Sequence, residues 1–141
     1  MALIDPDIRK AKTLPSRYYT TQDSFESLLP HFEGWQFAAH RSDLSQHNML
    51  PLDHIEEING QCMVLVHSDK TRCLANVCTH RGMRVVMEGC RSNHIRCGYH
   101  GRSFALDGSF SNMPKFEEVI GFPTSEDDLT SHPLVEWMGL L

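Results

Sequence analysis

Two short stretches, Cys78-Thr-His80-Arg-Gly and Cys97-Gly-Tyr-His100-Gly, restrict this chain more than anything else in its 141 residues. Sixteen residues lie between His80 and Cys97, and each stretch offers one thiol and one imidazole in a glycine-punctuated loop. Two thiolates and two neutral imidazoles can hold a binuclear iron–sulfur centre, with one iron on the cysteines and the other on the histidines. Imidazole in place of thiolate makes such a centre less negative. Its potential then lies at roughly −150 to +300 mV, against about −400 mV for plant-type ferredoxins. Gly82 and Gly101 would let the backbone pass close to the centre and donate N–H groups to its sulfurs. The rival reading is a tetrahedral, redox-silent zinc site on the same four side chains. Zinc fingers group both cysteines before both histidines, whereas here the order alternates. Colour separates the two readings.

The pattern C-x-H, a connection of about sixteen residues, then C-x-x-H resembles the Rieske family. The resemblance implies a Rieske-type [2Fe-2S] cluster, with Cys78 and Cys97 on a buried iron and His80 and His100 on an outer one. High-potential members of that family carry an extra cysteine in each loop, joined as a disulfide; those positions are Met83 and Tyr99 here. The same members have a serine after the second loop's glycine and a tyrosine two residues on, where this chain has Arg102 and Phe104. Without those two hydroxyls the expectation is a low-potential cluster.

The neighbours of the motif are similar to the Rieske domain of ring-hydroxylating oxygenase alpha subunits. The likeness runs through Leu14-Pro-Ser-Arg-Tyr-Tyr-Thr-Thr, Gly34-Trp-Gln-Phe-Ala-Ala-His40, Ala75-Asn-Val-Cys78, Ala105-Leu-Asp-Gly108 and Pro133-Leu-Val-Glu-Trp-Met-Gly. Two departures stand out: the family usually shows Pro where Gly98 stands and Trp where Arg102 stands. Arg102 is expected to affect docking, and Gly98 the rigidity of its loop.

Periodicity predicts an all-β fold of small antiparallel sheets, with a cluster-binding subdomain at one tip and a short N-terminal helix. Residues 1–34 read as an extended arm and that helix, over Thr21–Leu29 with Thr20 or Thr21 as cap. Residues 35–141 read as the Rieske domain, with the cluster-binding part at about 76–112. Strands are expected over Trp35–His40, Asp53–Ile58, Gln61–His67 and Arg72–Val77, with Asn59-Gly60 as a hairpin turn and Asp107-Gly108 as another. The apolar end, Pro133–Leu141, reads as a further strand. His40, His47 and His54 read as ordinary polar histidines. Cys62 and Cys73 are expected in the core and Cys90 in an exposed turn.

Net charge is −5, but it is unevenly spread. From Cys78 to Arg102 five arginines (81, 84, 91, 96, 102) face one acid, Glu88; from Glu117 onward there are six acids and no Lys or Arg. These are either solvated charges and structural ion pairs or a basic rim that steers an acidic electron donor. The acidic total argues against nucleic acid. No run of eighteen apolar residues argues for a membrane span, and cysteine usage points to the cytoplasm.

The resemblance implies electron transfer as part of an oxygenase: electrons arrive from a ferredoxin or flavin reductase and leave for the mononuclear iron of a catalytic domain. In the full-length context it also implies a homo-oligomer, a trimer. No other histidine pair lies at helical spacing beside a carboxylate, so that catalytic domain is expected to be absent from these residues. The chain alone is then an oxidoreductase component that moves electrons without hydroxylating. A free-standing Rieske ferredoxin and a zinc-binding interaction module are the alternatives.

Overall fold

The computed structural model describes residues 4–30 and 34–141. It divides into two units, Met1–Gln36 and Phe37–Leu141. In the first, α1 (Arg17–Thr20) runs into α2 (Gln22–Leu28), and Thr21 caps α2 by accepting the Ser24 N–H at 3.4 Å. An oxygen at the N-cap satisfies one of the donors a helix start leaves free.

Among the described residues the second unit contains two antiparallel sheets. The larger is built from β1 (Met49–Pro51), β2 (Met63–His67), β3 (Thr71–Ala75) and β7 (Ser131–His132), in the order β1-β2-β3-β7. The smaller holds β4 (Ile95–Arg96), β5 (Ser103–Phe104) and β6 (Phe110–Asn112) in sequence order. The run Met63-Val-Leu-Val is continuously apolar because the large sheet is covered on both faces. Val64, Val66 and Leu74 pack toward Ile95 and Phe104 of the small sheet and toward both motif cysteines. Leu65 and its cross-strand partner Cys73 face the other way, onto Leu44, Ile55 and Leu141. Phe104, fully buried, is worth roughly 1.5–3 kcal/mol on transfer from water.

Three expectations give way. Asp53–Asn59 is a helix, α3, inserted between β1 and β2. Gly60 is its left-handed C-cap at φ 74°, with its N–H on the Glu56 carbonyl at 2.8 Å. A helix end and a type I′ hairpin both want a positive φ at that glycine, so Asn59-Gly60 fits either. Acidic residues in the first turn and buried Ile55 decide for the helix. Trp35–His40 forms no strand among the described residues: His40 makes an isolated bridge to Leu140, and Trp35 and Phe37 are exposed. The C-terminal residues also depart from a strand. They turn at Trp137–Leu140, then bury Leu141, whose carbonyl accepts the Ala38 N–H at 2.7 Å. The Asp107-Gly108 turn between β5 and β6 is as expected, with Gly108 at φ 94°.

Candidate metal centre

Both motif loops grow out of strand pairs. After β3 comes Asn76, fully buried, whose side chain accepts the Val86 N–H and donates to the Val86 carbonyl, both at 2.8 Å. It thus pairs the returning segment as a strand would. Val77 then bridges to Arg84, and the loop closes when the Cys78 N–H donates to the Met83 carbonyl at 2.8 Å and the Gly82 N–H to the Cys78 carbonyl at 3.0 Å. The second loop joins β4 to β5 and closes by the same scheme. The Cys97 N–H donates to the Arg102 carbonyl at 2.8 Å, and the Gly101 N–H to the Cys97 carbonyl at 3.1 Å. Gly82 and Gly101 occupy the same place in the two rings at φ 70° and 77°, a region where a Cβ meets its own backbone. Gly98 is not at positive φ and nothing lies within 4 Å of where its Cβ would be, so no conformational demand fixes glycine there.

The four motif side chains form two pairs. Cys78 and Cys97 are both 2% exposed and their thiols are neighbours. His80 and His100 lie outward, half-buried and exposed, with ring centroids 4.9 Å apart at 68°. Tyr99 stacks on His100 at 3.7 Å, and Phe116 meets His80 edge-on at 5.8 Å. Burial pushes the Cys78 thiol up; the His80 backbone N–H opposes this and the Cys97 thiol adds to it. His80 is pushed down, first by burial and then by the charges of His100 and Arg81, which favours the neutral imidazole with a lone pair free for a metal.

This donor set fits a binuclear centre. A tetrahedral zinc site would gather all four donors on one point. A cluster needs two ligands per iron, thiolates at one end and imidazoles at the other. That is the arrangement of one buried pair and one outward pair.

Other sequence readings resolve into structural roles. Arg102 is buried, ion-paired with Asp127, and its guanidinium lies over Phe104, Phe110 and Phe122. It is therefore no docking residue in this fold. Arg84 pairs with Asp53 and Glu56 of α3, and Arg91 donates to the Ser45 carbonyl. Arg81 and Arg96 are exposed. His40 caps the 3₁₀ helix Arg41–Ser45 and His54 bonds the Phe37 carbonyl. Cys73 is buried and its thiol pushed up to about 11; Cys62 is half-buried. Cys90 is also half-buried, contrary to expectation, because its backbone bridges to Met49. Sequence reasoning missed Asn76 and Asp127; a polar residue inside the apolar run Cys73–Cys78 marked the first, and nothing local marked the second.

Residues 34–123 match the family model described as Rieske [2Fe-2S] domain. The carnitine monooxygenase oxygenase subunit of Escherichia coli (strain K12) is 35% identical over 139 residues, covering 94% of this chain and 36% of that protein. The chloroplastic choline monooxygenase of Beta vulgaris is 28% identical over 94% of this chain and 30% of its own length. The chain thus spans about a third of the length of these relatives. A crystal structure of a quaternary ammonium Rieske monooxygenase with L-carnitine superposes at TM-score 0.73 with 28% identity, over 89% of this chain and 36% of that one. Naphthalene 1,2-dioxygenase from Rhodococcus, at 23% identity and TM-score 0.74 over 91% of this chain and 30% of its own, shares the fold. A Rieske-type cluster, held by two cysteines and two histidines, is the cofactor this fold implies. By that match and by its two closed cysteine–histidine loops, this chain belongs to the Rieske [2Fe-2S] domain family.

Proposed function

We propose that Cys78 and Cys97 hold the inner iron of the cluster and His80 and His100 the outer one. The observation that carries this is the sorting of the four side chains: two neighbouring thiols inside the core, two imidazoles 4.9 Å apart at its edge. The cluster, when bound, supplies reversible one-electron transfer. The protein's part is to hold the buried pair away from water and present the imidazole edges outward, between Tyr99 and Phe116. Residues 35–141 serve as the Rieske domain, with cluster binding confined to about 76–112, and residues 1–34 as an arm; the division at Gln36–Phe37 supports this partition.

In this reading the chain serves as the electron-transfer domain of an oxygenase alpha subunit. Electrons come from a ferredoxin or flavin reductase and go to a mononuclear iron of a catalytic domain, within a homo-oligomer in the cytoplasm. No helix among the described residues is long and apolar enough to cross a membrane. The carnitine and choline monooxygenase relatives favour a quaternary amine as the substrate of the whole protein over an aromatic ring. Visible absorption and electron paramagnetic resonance of the purified chain, oxidised and dithionite-reduced, test the ligand set. A red-brown protein with the low average g value of mixed ligation supports it, and a colourless metal-loaded one refutes it. Cys97→Ser and His100→Ala should each abolish that signal.

A further inference from the structure

Asp127 ends the 3₁₀ turn Ser125–Asp127 and touches both motif loops. Its backbone carbonyl accepts the Thr79 hydroxyl at 2.8 Å, and Thr79 stands between Cys78 and His80. Its Oδ1 accepts Arg102 Nη2, and the Arg102 carbonyl is the one that closes the second loop onto the Cys97 N–H at 2.8 Å. Its other oxygen, Oδ2, takes the Thr124 N–H at 2.8 Å and the Thr124 hydroxyl at 3.3 Å. The carboxylate is therefore fixed in its own turn as it reaches across. Arg102 is held just as firmly: it is 3% exposed, with its guanidinium carbon 5.1 Å from the Phe110 ring and 5.5 Å from that of Phe122.

We propose that Asp127 is a positioning residue that ties the two cysteine–histidine loops to each other, the first through its carbonyl and the second through its carboxylate. With Met83 and Tyr99 at the positions of the disulfide cysteines, no covalent link joins the loops here, and the chain Thr79–Asp127–Arg102 bridges them instead. A charged hydrogen bond between well-ordered, poorly solvated groups is the strongest non-covalent link available for this purpose. The inference rests on the reading of these loops as the cluster-holding ones.

The links act in series, so breaking either one frees the loops and breaking both adds nothing. The test is a cycle of Thr79→Val, Asp127→Asn and the double variant, read as the rate at which a chelator bleaches the visible absorption of the cluster-loaded chain. Each single variant is expected to bleach about five- to tenfold faster, as loss of one such hydrogen bond implies. The double variant should be no more than about twofold faster than the quicker single, against the multiplied effect of independent sites. Shifted g values in the reduced singles accompany this. Multiplied rates, or parental rates in both singles, overturn the tie.

Amide hydrogen exchange on the metal-free chain judges it without the cluster. Thr79→Val, in the first loop, should speed exchange at Cys97 and Gly101 in the second. An effect confined to Gly82 and its neighbours overturns the tie. A parent chain that binds no cluster refutes the ligand assignment, and the exchange result still decides the tie.

Discussion

Asn76 is the residue on which the first loop's return hangs, and its removal has a cost that follows from the hydrogen bonds it makes. Its side chain satisfies both backbone groups of Val86 at 2.8 Å, in a place where Asn76 is 0% and Val86 4% exposed. Asn76→Ala leaves the Val86 N–H buried without a partner, while the Val86 carbonyl keeps the Arg84 Nε donor at 3.2 Å. At about 1–3 kcal/mol for that orphaned group, the loss is about 2 kcal/mol, against a small domain's typical stability of about 5–15 kcal/mol. Urea denaturation followed by circular dichroism measures it, with the slope expected to stay constant. Asn76→Asp sharpens the test. The carboxylate can still accept the Val86 N–H but sets an oxygen against the Val86 carbonyl, whereas the protonated acid can donate to it. The folded-state pKa of this new group is therefore raised. The variant should approach the parent below the ordinary carboxylate value of about 4 and fall behind as pH rises above it. A loss under about 1 kcal/mol for the alanine variant, or an aspartate penalty equal at both ends of the pH range, would refute the reasoning.

Gly82→Ala should cost about 1–2 kcal/mol from its φ of 70° alone, because nothing else lies near its Cβ position, while Gly98→Ala should fall within about 0.5 kcal/mol of the parent; thermal melts separate them. Cys90→Ser should retain the red-brown colour, since only Cys78 and Cys97 stand in the buried thiol pair. Asp127 is held below the usual carboxylate range, chiefly by the Thr124 N–H, with the Arg102 guanidinium a lesser contributor. A depressed folded pKa gives stability that is complete above the unfolded value and lost as pH falls through the folded one. Acid titrations of unfolding should therefore show a steeper loss in the parent than in Asp127→Asn, and parallel curves would exclude that role.

Much of this was open to reading in the chain, and the failures share a cause. The four ligand candidates, the two motif glycines and the Asp107-Gly108 turn are each fixed by requirements within a few residues, so the order of side chains reveals them. Asn59-Gly60 misled because a positive φ is demanded equally by a hairpin and by a helix end, and the choice was made by Ile55 packing against Leu65 and Cys73. Trp35–His40 alternates like a strand, but among the described residues its pairing is confined to Ala38–His40 against Leu140 and Leu141. Arg102 looked like surface because arginine usually is. Phe104 stands two residues on, but Phe110, Phe122 and an aspartate 25 residues away complete its interior site. The link from Thr79 to Asp127 spans 48 residues and carries no local mark at all.

The two motif loops share one backbone ring, cysteine N–H to the fifth residue on and glycine N–H back to the cysteine, while their histidines sit two and three places after the cysteine. Because each ring is shut by its own atoms, the surrounding fold steadies a tip's shape and does not set it. What the rest of the molecule has to supply is then one quantity, the rigid-body placement of one hairpin tip against the other. An identical frame bearing its imidazole at two different offsets also means that the tips are not interchangeable. Grafting either loop into the other's place would preserve every backbone bond of the ring and still aim the histidine the wrong way.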